Sequence, residues 1–129
     1  MRIPALILLF ALSLGCKHQD TRSFAYVNGE CERLYKTYVD SEQNEARQSL
    51  KQAVTLIEEA NVQPHIKARG LWWSYSRLFV LEKRAGNNDT AQELLVKAHY
   101  WCLELAEITG ASPTEALAYA TRSRLRMRL

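Results

Sequence analysis

The sequence predicts an all-α protein of antiparallel helical hairpins, about five helices, arranged as a stack of repeats or as a compact bundle. Three observations carry this. Leu, Ala, Glu, Gln, Lys and Arg abound, and these residues form helices at least cost. Apolar residues recur at steps of three and four, and long period-two runs of Val, Ile and Thr are absent. The few breakers, five Gly and three Pro in 129 residues, fall mostly where such segments end or begin.

A chain of this length forms one domain. If the first stretch is removed, roughly 110 residues remain, enough for a core worth about 5–10 kcal/mol of net stability. The first predicted helix covers residues 21–39, with Phe24, Val27, Cys31, Leu34 and Tyr38 on one face. Gly29 interrupts it. The second covers 41–60, opened by a capping box of Asp40 and Gln43, with Ala46, Leu50, Ala53, Ile57 and Ala60 facing inward. The third starts at Pro64, whose missing N–H is not needed in a first turn, and runs to residue 85. Leu71, Tyr75, Leu78 and Phe79 mark its face, and Gly86 stops it. Asp89 and Gln92 form a second expected box for the fourth, whose face is Ala91, Leu94, Leu95, Ala98, Cys102 and Leu105 up to Gly110. The fifth opens on Ser112-Pro113-Thr114-Glu115 and ends among arginines, which favour the negative end of a helix dipole.

Residues 1–16 read as an address rather than as fold. One basic residue, Arg2, precedes an apolar run from Ile3 to Leu14, followed by Gly15-Cys16. The run is shorter than the about 20 residues a spanning helix needs, and it has the size of a signal-peptide core. Leu12-Ser13-Leu14-Gly15-Cys16 resembles the looser form of the lipobox of bacterial lipoproteins. That resemblance covers these sixteen residues only. It implies a signal peptide over 1–15 and lipid on Cys16; a tether over 16–23 then leads into the helical domain that the periodicity places over 24–129. Lys17 stands where inner-membrane lipoproteins often carry Asp, so the resemblance implies the outer membrane. Two other readings stay open: an ordinary signal-peptidase cut after the small residues Ser13 and Gly15, and an uncut anchor.

The helical body carries a pattern of its own. Ala46-x3-Leu50-x2-Ala53 in the second helix is matched by Ala91-x3-Leu95-x2-Ala98 in the fourth. This is similar to the tetratricopeptide repeat, in which small residues at that spacing seat paired helices together. Tyr75 and Leu78 add to the resemblance, whereas Phe79 and Glu82 depart from the small and aromatic residues it expects. The two Ala marks are 45 residues apart, longer than the family's roughly 34-residue period. The resemblance spans about residues 31–125. It implies a concave face lined by Trp73, Ser76, Val80 and Lys83, where such repeats hold peptides.

Composition excludes several functions. The net charge of +3 comes from Arg122, Arg124, Arg126 and Arg128; without these four, 13 basic side chains face 14 acidic ones. No basic stripe crosses the chain, so a nucleic-acid partner is not expected. His99 and Cys102 share a spacing that suits a metal, but four-coordinate zinc needs two further ligands, and no second pair exists. No phosphate loop, serine elbow or Cys-x-x-Cys occurs, so neither an enzyme nor a cofactor is expected. Adjacent Trp72 and Trp73 diverge by about 100° on a helix, so one of them is a candidate anchor for a partner, the alternative being that Trp73 packs against the first or fifth helix. Cys31 and Cys102 are either two buried thiols or, after export, a disulfide. The expectation is a non-catalytic, membrane-tethered module binding a protein or peptide. The alternative is a small structural, inhibitory or immunity-type envelope lipoprotein acting through its outer surface.

Overall fold

The structure, a computed structural model, describes residues 22–40 and 42–127, with the backbone alone at 39 and 40. Cys16, the apolar run and most of the tether lie outside the described residues. Those described form five α-helices and no strand. They are α1 (Phe24–Asp40), α2 (Gln43–Glu59), α3 (Pro64–Arg84), α4 (Asn88–Thr109) and α5 (Pro113–Arg126). None of them is long and apolar enough to cross a membrane.

The expected faces are mostly the buried ones, except that Phe24 is 52% exposed at the start of α1 and Phe79, Leu94, Leu95 and Leu105 are only half-buried. Val27, Cys31, Leu34 and Tyr38 of α1 are buried, as are Ala46, Leu50, Ala53 and Ile57 of α2. Leu50 and Leu71 sit at the centre with 0% exposure. Both Ala pairs, Ala46 with Ala53 and Ala91 with Ala98, are buried, so small side chains seat α2 and α4 against their neighbours. One hydrophobic cluster runs through the whole set, from Val27 in α1 to Ala120 in α5.

Helix ends follow local chemistry, with two corrections. Pro64 and Pro113 occupy first turns. Gly86 (φ 83°) and Gly110 (φ 75°) adopt the left-handed conformation that ends α3 and α4. Behind each glycine an amide reaches back five residues, Asn87 to Glu82 at 2.9 Å and Ala111 to Ala106 at 2.9 Å. Asp40 belongs to α1 and Glu42 is the cap residue of α2, so the expected Asp40–Gln43 box is out of register. The Asp89–Gln92 box does not form either. Asn87 is the cap residue and Asp89 falls in the first turn, where its charge still favours the dipole. Ser112 is at the cap position of α5 but its hydroxyl makes no cap hydrogen bond. Ser23 does cap α1, its Oγ accepting from the Tyr26 amide at 3.3 Å.

Side-chain pairs give the direction of each helix. Arg47 at the start of α2 meets Glu82 at the end of α3, so these two are antiparallel. Tyr35 of α1 meets Ser74 of α3, and Trp72 of α3 meets Tyr119 of α5. Further along, Arg124 of α5 covers Phe79 and Arg84 reaches the Met127 carbonyl. The odd-numbered helices therefore run parallel and side by side, with α2 and α4 antiparallel to them. No Cα of α1 lies within 8 Å of α3, nor any of α2 within 8 Å of α4. Long side chains alone bridge α1 to α3.

Candidate functional site

The gap between α1 and α3 is a groove. It holds a cavity of 610 Å³, within the roughly 300–1,000 Å³ usual for ligand sites. Helix α2 closes its floor through Ile57. Phe24, Cys31 and Tyr35 line one wall, and Ile66, Trp73 and Arg77 the other. The Asn61 amide donates to the Arg22 carbonyl at 2.6 Å, which ties the α2–α3 loop to the start of α1 and sets the open end of the groove. Phe24 stands there 52% exposed. The opposite end is closed by Tyr35, whose hydroxyl hydrogen-bonds Ser74 at 3.1 Å.

Arg77 is held at this closed end by aromatic rings. Its guanidinium lies 4.6 Å from the centre of Trp73, 5.2 Å from Tyr35 and 5.9 Å from Tyr38. Such contacts are worth roughly 0.5–1 kcal/mol each at exposed sites, and together they pre-set the side chain. The ion pairs of the described residues, Arg33–Glu30 and Arg47–Glu82, involve neither Arg77 nor Arg69. Burial pushes the Tyr35 and Tyr38 hydroxyls up, and the Arg77 charge partly offsets this in both. Burial, reinforced by the Glu30 charge, also raises the Cys31 thiol, so it stays protonated at neutral pH.

A second cavity of 460 Å³ lies between α3, α4 and α5. Arg69 and Trp73 line both cavities, so the two meet at one ridge on α3. Trp73 is half-buried and lies tilted at 49° against Trp72, with ring centres 5.4 Å apart, while Trp72 itself is buried. Of the adjacent pair, Trp73 is thus the one that reaches the groove.

The four residues expected on one concave face are dispersed. Trp73 lines the groove. Ser76 and Val80 are buried, and Lys83 is exposed in the last turn of α3, outside both cavities. The reason is that α3 is central: α2, α4 and α5 all pack on it, and its open strip is Arg69–Trp73–Arg77. Arg69 and Arg77 were not anticipated from sequence. Their signal was there, a cation, an aromatic and a cation at successive four-residue steps on one helix stripe.

The Cys31–Cys102 disulfide is not formed. Both are free, buried thiols. They sit on α1 and α4, which have no Cα pair within 8 Å, beyond the about 7 Å a disulfide tolerates. The Cys102 thiol instead donates to the Ala116 carbonyl at 3.4 Å. Among the described residues no three His, Cys, Asp or Glu side chains converge as metal ligands. His99 is half-buried on α4; burial first, and the Arg124 charge second, lower its pKa. Comparison of the chain with protein-family models, with curated proteins and with solved structures gives no match, so the geometry of the groove is the ground for a functional reading.

Proposed function

We propose that this chain is a non-catalytic interaction module, tethered to a bacterial membrane by lipid on Cys16, that binds a protein or peptide in the envelope through the α1–α3 groove. The observation that carries the binding reading is the groove itself. It is apolar at its floor, open at one end, and centred on a half-buried Trp beside a pre-set Arg. Trp and Arg dominate the energetics of protein interfaces. The lipid tether rests on the lipobox resemblance of Leu12-Ser13-Leu14-Gly15-Cys16, and the relation to tetratricopeptide repeats on the buried Ala46/Ala53 and Ala91/Ala98 marks. Several polar side chains are engaged in holding the fold: Glu82 with Arg47, Glu58 with the Tyr75 hydroxyl, Cys102 with Ala116.

A second reading has its own observation. Val96, Tyr100 and Leu103 form an exposed stripe on α4, with Val96 60% and Tyr100 55% accessible. Such a stripe suits a structural or inhibitory lipoprotein that acts through its outer surface.

One experiment in cells addresses both. A clickable palmitate analogue should label the wild type and not Cys16→Ala, with the variant lost from the membrane fraction. A photo-reactive phenylalanine analogue placed at Ile66 should cross-link a protein partner, whereas the same probe at Val96 should not. Cross-linking from Val96 alone would favour the outer-surface reading. Absence of label on the wild type would remove the tether.

A further inference from the structure

The charge of the groove is one-sided. Its walls carry Arg69, Arg77 and His65, and no Asp or Glu. The neighbouring cavity includes Glu115, so the bias belongs to the α1–α3 groove. Arg77 is already oriented by three rings, and Arg69 is exposed on the rim. Neither joins an ion pair within the described residues. A cation ordered by aromatic rings and left without a carboxylate is arranged for an anion from outside.

Spacing narrows the occupant. Arg69 and Arg77 are eight residues apart on α3, a rise of about 12 Å at roughly 1.5 Å per residue. Trp73 lies midway between them. An extended peptide advances about 3.3 Å per residue and points alternate side chains to the same side. Residues i, i+2 and i+4 of such a peptide therefore face one way and span about 13 Å. That matches cation, aromatic, cation along the α3 wall.

We infer that the groove docks an acidic, apolar peptide segment of a partner protein, in which an apolar side chain enters over Ile57 beside Trp73 and carboxylates two residues to either side meet Arg69 and Arg77. This rests on the interaction-module reading above and names its partner's chemistry. The groove runs from Ile66 to Arg77 along α3, about 16 Å at the helical rise, which accommodates about five extended residues. The pattern recognised is Glu or Asp, any residue, a large apolar residue, any residue, Glu or Asp.

The test uses the full chain in nanodiscs of neutral phosphatidylcholine and two fluorescein-labelled peptides. One carries Glu-Ser-Phe-Ser-Glu within a Gly-Ser frame, and its twin carries Lys in place of both Glu. Fluorescence anisotropy should show the Glu peptide binding at least about tenfold more tightly than the Lys twin, and more weakly as salt rises. Arg69→Glu and Arg77→Gln should each weaken it about tenfold, the order expected for loss of one charge-assisted hydrogen bond. Arg122→Gln, on the exposed side of α5, should bind as wild type. Arg69 is exposed, so Arg69→Glu keeps the test decisive if Arg77→Gln disturbs the fold. Equal binding of the two peptides, binding indifferent to both Arg variants, or no binding of the Glu peptide would each overturn the inference. If the peptide fails while the probe at Ile66 still cross-links a partner in cells, the interaction module stands and the acidic motif falls. If the cross-link fails as well, both fall.

Discussion

Ser76 shows what a buried residue contributes when its polar atom has no role. It is 0% exposed, and its Oγ finds no hydrogen-bond partner among the described residues; the same holds for Trp72 Nε1. A buried hydroxyl left unpaired is penalised by roughly 1–3 kcal/mol. Ser76→Ala removes that group with almost no loss of volume. It should stabilise the protein by about 1 kcal/mol, read as a rise in the urea midpoint at unchanged m-value. A fall in the midpoint would show that the hydroxyl is bonded. Glu82 is the opposite case. It is buried, yet its carboxylate accepts from Arg47 Nε at 2.7 Å and from Asn87 at 3.5 Å. The residue that departs from the aromatic expected of a repeat thus joins α2 to α3 by a charge pair. Removing one partner would leave the other charge half-buried, which is why such pairs hold register.

At the scale of the helix, two glycines of one composition have opposite meanings. Gly29 lies in the exposed middle of α1, and a Cβ added there would meet nothing within 4 Å. Gly29→Ala should stabilise by about 0.5–1 kcal/mol through helix propensity alone. Gly70 lies where α3 crosses α2, and a Cβ there would sit 3.0 Å from Ile57 Cδ1. Gly70→Ala gains the same propensity but crowds Ile57 at the floor of the groove, so it should come out roughly 1–3 kcal/mol less favourable than Gly29→Ala. For a domain of this size each kcal/mol moves the Tm by roughly 4–8 °C, so thermal melts should place Gly70→Ala below Gly29→Ala. Both glycines interrupt a helical pattern in the sequence, and the sequence alone does not distinguish them. The distinction is the distance to another helix. Capping shows a related limit. Asp40 and Asp89 carry the right side chains at the right spacing, yet the first is absorbed into α1 and the second into the first turn of α4. Neighbouring elements compete for the same residues, and turn length decides between them.

For the whole molecule, the α4–α5 seam sets a dependence on pH. Burial and the Arg124 charge lower the His99 pKa, so the folded protein takes up this proton less readily than the unfolded chain does. Stability from this group is therefore complete above the unfolded value of about 6.5 and declines as the pH falls through it. The Tm should drop as the pH falls below about 6.5. His99→Gln should flatten the curve in that window while leaving the lower, carboxylate-driven loss in place. A pH profile identical in wild type and variant would place His99 in water. The arrangement also explains why the groove lies where it does. α3 is packed by α2, α4 and α5, while α1 touches it only through side chains, so the Arg69–Trp73–Arg77 strip of α3 is left facing α1.

The sequence by itself determined the helices, their inward faces and most of their ends. Those features depend on interactions within four residues of each other: the three-four recurrence of Val27, Cys31 and Leu34, proline in the first turn at Pro64 and Pro113, glycine closing α3 and α4. Tertiary structure alone decided that Cys31 and Cys102 stay apart, that Glu82 finds Arg47, and that Ser76 and Val80 are covered while Arg69 and Arg77 are open. Each of these depends on how far one helix stands from another that is not its neighbour in the hairpin. A helix presents several faces to several neighbours, and periodicity reports that a face is apolar without saying which neighbour covers it. The groove exists because α2 holds α1 and α3 too far apart for their backbones to meet, a separation that no local pattern encodes.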